Sequence, residues 1–142
     1  MKKLINPEHL PLVAVDFMNK VHYEDVDIIN ELYNRVLTFQ ENQSTDTSGI
    51  DEQYSLWFDH TVAHFKGEED AMLAINFPPY PMHKSAHDEK LKVMKQIQTA
   101  WLEERNIGAL RGYLEVDLVN WITNHIQAMD HITAIFLQRS NP

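Results

Sequence analysis

His64-Phe65-Lys66-Gly67-Glu68-Glu69 decides the fold of this chain. The six residues sit inside an amphipathic run from about 50 to 75, with Trp57, His60, His64, Glu68, Ala71, Met72 and Ile75 along one side. That spacing predicts a helix. Residues four apart on a helix share a face, so His64 and Glu68 point the same way, toward a core. Imidazole and carboxylate both ligate borderline metals such as iron or zinc. Such a pair also occurs on ordinary solvated helices, so the rest of the chain must supply partners before it counts as a site.

Upstream, residues 1–16 read as an irregular arm in which Pro7 and Pro11 discourage helix. A helix follows from about 18 to 42, with Met18, His22, Val26, Ile29, Leu32, Val36 and Phe39 on its apolar stripe and Asp16 or Asn19 as its expected cap. The turn-rich tract Asn42-Gln43-Ser44-Thr45-Asp46-Thr47-Ser48-Gly49 reads as a loop. Downstream, Pro78, Pro79 and Pro81 are expected to stop the second helix. A third helix is expected over about 82–105, carrying His83, His87, Leu91, Met94, Ile97 and Trp101 on one face, with Asn106 and Gly108 ending it. A fourth covers about 111–138, with Leu114, Leu118, Trp121, Ile122, His125, Met129, Ile132 and Phe136. No strand pattern, fixed-period repeat or low-complexity tract interrupts the series. Long helices with short connections predict an all-α, up-down-up-down antiparallel four-helix bundle, a fold that builds metal sites in its core.

Composition narrows the chemistry. The chain has 142 residues, expected to form one domain over 1–142, and no cysteine, which excludes disulfides, iron–sulfur clusters and thiolate zinc sites. Any metal must be held by nitrogen and oxygen. Twelve basic against twenty-one acidic residues give a net charge of −9 without a basic stripe, which speaks against nucleic acid and against an anionic membrane surface as partners. No apolar run reaches the length of a membrane span, and the N-terminus lacks the apolar region of a signal peptide. The expected location is therefore cytoplasmic, with no obligatory protein partner evident.

Each helix contributes a metal-ligating candidate: His22 from the first, His64 and Glu68 from the second, His83 and His87 from the third, His125 and Asp130 from the fourth. In an antiparallel bundle the early parts of helices one and three meet the late parts of helices two and four. His22, His83 and His87 are early in their helices, and the other four are late in theirs. All seven are thus expected at one level of the bundle. One spacing is awkward: His125 and Asp130 are five apart, about 140° round an ideal helix, so Asp130 must reach sideways or the helix must be distorted.

The segments Asn19-Lys20-Val21-His22, His64 through Met72, Tyr80-Pro81-Met82-His83 through His87, and Trp121 through Asp130 resemble the hemerythrins, specifically the bacterial single-domain ones. The resemblance covers nearly the whole chain. It implies a cofactor of two non-haem iron ions, bridged by carboxylates and an oxo or hydroxo group. It implies His83, His87 and His125 on one iron, His22 and His64 on the other, and Glu68 and Asp130 between them. The second iron, with one imidazole fewer, would then have an open position for O2. Trp121, Ile122 and Ile126 match the family's apolar O2-pocket positions, with Ile122 where Leu is common. His60 stands where the family often has Tyr, with three readings open (a hydrogen-bond donor behind the ligands, a proton relay or a boundary residue), and Thr133 stands where another Tyr is common. Glu69 and Asp88 are expected to be solvated, and His9 and His131 to lie on the surface.

The implied function is reversible O2 binding for storage, delivery (oxygen transport) or sensing, not catalysis. The chain has no expected room for a signalling output domain, which ranks carrier or store above sensor. The alternative is a di-iron redox enzyme or sensor handling O2, peroxide or nitric oxide. The absence of any Glu-x-x-His motif weighs against the ferritin-like di-iron class. A structural bundle with no functional metal is the remaining reading.

Overall fold

The helical period is realised as four rods: α1 (Asp16–Glu41), α2 (Ser48–Ala74), α3 (Tyr80–Glu104) and α4, which runs through 107–140. The structure, a computed structural model, describes residues 3–140. Met1, Lys2, Asn141 and Pro142, the ends of the expected 1–142 domain, lie outside the described residues. Among those described there is no strand, and no helix is long and apolar enough to cross a membrane. α1 packs on α2 and α2 on α3, while the start of α4 touches both α1 and α3 and its end returns to α2. The result is the expected antiparallel four-helix bundle.

Local chemistry sets the helix ends, and several differ from expectation. α1 ends at a left-handed Gln43 (φ 47), with Gln43 N–H on the Gln40 carbonyl and Ser44 N–H on that of Phe39. α2 ends the same way at Asn76 (φ 52), with Asn76 N–H on Leu73 and Phe77 N–H on Met72. Both are Schellman closures, so α2 stops before its prolines are reached. Pro81 instead lies inside the first turn of α3, where its missing N–H has no partner to lose. Neither Asp16 nor Asn19 caps α1. Val15 occupies that position without a side-chain bond, and the Asn19 amide clamps Val13 by its N–H and its carbonyl, at 2.9 Å each. Asn106 does not end α3; left-handed Arg105 (φ 51) does, and Asn106 caps α4 by accepting from Ala109 N–H at 3.0 Å. α4 therefore starts four residues before its expected position, with Gly108 inside its first turn.

α4 is not uniformly α-helical. It winds as π-helix over Tyr113–Leu118 and again over Ile126–Asp130. The second π-turn begins one residue after His125 and ends on Asp130. A π-helix has i→i+5 closure, so residues five apart come onto one face. This is the distortion that the His125–Asp130 spacing required.

Two apolar clusters bracket the middle of the bundle. The larger holds Ile29, Leu32, Tyr33, Val36, Tyr54, Trp57, Met94, Trp101 and Leu114. The smaller packs Leu10 and Val13 of the arm against Met18, Val26, Ile126, Ala134 and Leu137. The polar candidates are buried close to the smaller one.

Candidate metal centre

Seven side chains from four rods converge here, and they are the seven singled out above. His22, Glu68, His83, His87, His125 and Asp130 are buried, and the His64 side chain is nearly so. Ligand atoms of Glu68, His83, His87, His125 and Asp130 all lie within 4.8 Å of one another, and those of His22, His64 and Glu68 form a second such group.

The carboxylates join the two groups. Glu68 Oε2 lies 2.9 Å from His64 Nε2 and 3.7 Å from His22 Nε2, while its Oε1 lies 3.4 Å from His87 Nε2 and 3.7 Å from His83 Nε2. Asp130 divides likewise: Oδ2 is 3.0 Å from His22 Nε2, and Oδ1 is 3.0 Å from His83 Nε2 and 3.2 Å from His125 Nε2. Each carboxylate offers one oxygen to the three-histidine group and the other to the two-histidine group.

The three-histidine group fits a metal better than it fits hydrogen bonding. His125 Nε2 lies 3.1 Å from His83 Nε2 and 3.2 Å from His87 Nε2. Three ring nitrogens this close cannot all carry protons aimed at one another. Nitrogens about 2.1 Å from one ion and at right angles would stand ~3.0 Å apart, close to the observed spacing. Glu68 Oε1 and Asp130 Oδ1 are buried without a hydrogen-bond partner, a state that ordinarily costs free energy. Their lone pairs share the region on which the three imidazoles converge. Nitrogen and oxygen donors with no sulfur suit a first-row divalent or trivalent ion.

Three of the five rings are fixed from behind, as metal-bound histidines require, whereas His22 Nδ1 is buried without a hydrogen-bond partner. His64 Nδ1 is 2.6 Å from Asp25 Oδ2, His83 Nδ1 is 2.8 Å from Thr133 Oγ1, and His87 Nδ1 is 2.8 Å from Glu69 Oε2. Each contact occupies Nδ1 as a donor and leaves Nε2 free to face the centre. Thr133 passes its own hydroxyl toward Met72 Sδ at 4.0 Å. Glu69 is thus not solvated as expected; α3 passes close enough to α2 for His87 to reach it. Asp88 is exposed and paired with Lys84, and His9 and His131 are exposed. His60 does not touch a candidate ligand. Its Nδ1 is 2.5 Å from Asp25 Oδ1, so it acts behind Asp25, with Nε2 turned to Glu24 at 3.4 Å.

The cluster orders its own charges. Burial works against the carboxylates of Glu68 and Asp130, yet the surrounding imidazoles hold both below the ordinary carboxylate range. Burial also opposes charge on His22 and His64, but their carboxylate partners outweigh it and push them up to about 9 and about 10. His125 is pushed down, chiefly by burial. With no ion bound, protons on His22 and His64 balance the two buried carboxylates, as a cation would.

A cavity of about 40 Å³ opens beside the cluster, lined among others by His22, His64, Trp121, Ile122, His125 and Ile126. A water needs about 10–15 Å³ of such space, so the cavity admits a diatomic or triatomic molecule and little more. The three apolar pocket residues expected from the sequence therefore all border it. Trp121 stacks on His125 (centroids 4.4 Å, planes 11° apart) and Phe65 on His87 (3.8 Å, 2°). Lys90, which the sequence reading passed over, is also in the wall.

Comparison with known proteins agrees with this geometry. The hemerythrin HHE cation-binding domain matches residues 13–134. A bacteriohemerythrin from Aquifex aeolicus is 30% identical over 131 residues, 92% of this chain and 95% of its own. A hemerythrin from Siphonosoma cumanense is 32% identical over 112 residues, 78% of this chain and 81% of its own. The crystal structure of a wild-type hemerythrin superposes with a TM-score of 0.71 at 23% identity, covering 88% of this chain and 90% of that one.

Proposed function

The chain belongs to the hemerythrin family, and on that premise we propose that it is a non-haem di-iron protein that binds O2 reversibly, acting as one domain in storage or delivery. The observation that carries this reading is the division of Glu68 and Asp130, each with one oxygen toward His83, His87 and His125 and the other toward His22 or His64. Two ions, one for each imidazole set, would find all their protein ligands among these seven side chains. His83, His87 and His125 would hold one iron, and His22 and His64 the other. When bound, the iron pair supplies the two electrons that O2 takes up and later returns.

The protein's own part is to position and to exclude. Asp25, Thr133 and Glu69 hold three of the rings by Nδ1. The cavity is bordered by His22 and His64, and also by His125 and Asp130; an iron held by His22 and His64 would have one imidazole fewer and so room for a ligand. Ile122, Ile126, Trp121 and Phe65 supply the apolar part of the cavity wall, and the space is too small for bulk solvent. Bulk water and its protons promote release of reduced oxygen, so a space closed to solvent favours release of O2. With ions bound, the carboxylates of Glu68 and Asp130 would offset part of their charge, which would let the core tolerate them.

The test is an absorption spectrum of the anaerobically reduced protein before and after air, with iron counted alongside. Two irons per chain and a colour that appears in air and fades under vacuum are expected. Irreversible conversion to an oxidised form with release of peroxide would replace O2 carriage by redox chemistry. Failure to take up iron would leave a structural bundle.

A further inference from the structure

Lys90 lies on α3 one turn beyond His87, and it is buried. A buried ammonium ordinarily has a carboxylate beside it. Among the described residues none stands within ion-pair distance of Lys90 Nζ, and Asp117 acts on it only as a more distant charge. Nζ instead donates to Tyr113 Oη at 2.8 Å and lies 5.1 Å from the Tyr113 ring centroid and 4.9 Å from that of Trp121. Aromatic faces attract a cation, but they do not neutralise it. An ammonium has three N–H donors, and Tyr113 takes one. Burial pushes the amine down to about 8, so most of it remains protonated at neutral pH.

The position of this charge matters. Trp121, whose ring it faces, is stacked on His125, and Lys90 lines the same cavity as His22, His64, His125 and Asp130. The other carboxylates of that wall are occupied. Asp25 accepts from His60 and His64, and Asp130 faces His22, His83 and His125. The cavity thus has the candidate metal ligands on one side and a cation without an ion-pair partner on another, and it has room for two or three heavy atoms.

We propose that Lys90 is a specificity-determining residue of this cavity, and that its charge raises the affinity for small monovalent anions relative to neutral ligands of the same size. The proposal rests on the di-iron reading for the metal contact of the bound anion. The ammonium supplies the second contact and the counter-charge. A purely structural Lys90, tying α3 to the first π-turn through Tyr113, would give no such preference.

Azide is the probe for the anion and nitric oxide for the neutral diatomic. Azide is titrated into the iron-loaded, oxidised protein, and nitric oxide into the reduced protein, by absorption. Lys90→Met keeps the length of the side chain and removes its charge. Azide affinity is expected to fall at least tenfold in this variant, with iron content unchanged and nitric oxide affinity within twofold of wild type. Equal azide affinity in both proteins, or equal weakening of both ligands, overturns the proposal. Tyr113→Phe, which removes the hydrogen bond and keeps the charge, should retain azide binding; a loss matching that of Lys90→Met would assign Lys90 a bracing role instead. A metal-free arm separates this proposal from the function it rests on. In wild-type protein labelled at lysine Cε, the Lys90 resonance should shift saturably with azide whether or not iron can be loaded, and an unmoved resonance overturns the proposal.

Discussion

Asp25 carries two imidazoles on one carboxylate. Its Oδ2 holds His64 Nδ1 and its Oδ1 holds His60 Nδ1, and these bonds keep it below the ordinary carboxylate range although burial works against them. By fixing the His64 tautomer it aims Nε2 at Glu68, so it should act on the metal without touching it. Partners of this kind ordinarily contribute 10–100-fold in metal affinity. Asp25→Ala is therefore expected to weaken iron binding by about that factor, measured by competition with a chelator. Glu68→Ala should remove both ions, since its two oxygens serve both groups. His60→Phe, one step further out, should keep iron at full occupancy. Equal loss in all three variants would show a general failure of folding rather than this ordering. The candidate ligands were legible in the sequence because residue type and helical spacing suffice to find them. Asp25, Glu69 and Thr133 were not, since a carboxylate or hydroxyl on a helix reads as solvated face. Only the packing of one rod against another turns them behind His64, His87 and His83. Lys90 escaped for the same reason, although it lies one turn from His87 on a face that also carries Met94.

The second π-turn of α4 shows how an element can depart from its period for the sake of a site. A π-turn arises when an α-helix absorbs one extra residue, and Ile126–Asp130 places the surplus between His125 and Asp130. Gln127 and Ala128 are exposed within it. Deleting Ala128 should let the segment relax to α-helix with the carboxylate four residues after His125, still on the ligand face and in register with Thr133 behind it. The deletion variant is expected to fold and to load iron. Inserting an alanine after Gln127 turns the carboxylate by about 100° and should abolish loading. Circular dichroism with an iron count checks both, and loading that survives the insertion would show that Asp130 is dispensable. The sequence exposed the conflict in spacing but not its solution, because both a sideways reach and a distorted helix satisfy it. The helix ends were read less well. Left-handed Gln43, Asn76 and Arg105 close helices with no glycine to mark them, and Asn106 serves the helix that follows it, where an Asn at a boundary fits either side.

For the whole molecule, the cluster makes stability depend on pH in opposite senses with and without metal. In the metal-free protein His22 and His64 have folded pKa values of about 9 and about 10, above the ordinary 6.5. Their protonated forms bind the buried carboxylates, so this stabilisation is complete below about pH 6.5 and lost as pH rises through 9 and 10. For His22 alone the shift corresponds to roughly 3 kcal/mol. Glu68 and Asp130 are depressed, so their contribution is present above about pH 4 and lost in more acid solution. Lys90 works the other way, since its charged form is penalised by burial and the penalty lifts as pH rises through about 8, but that change is common to both forms of the protein. With iron bound, the imidazoles must be neutral at Nε2, so protons compete with the metal and its stabilisation grows with pH. Between pH 6 and 9 the metal-free protein should lose stability while the loaded protein holds or gains it. The difference in Tm between the two forms, measured by calorimetry at matched ionic strength, is expected to widen steadily across that range. A constant or narrowing difference would mean that His22 and His64 are not the groups that exchange protons for metal.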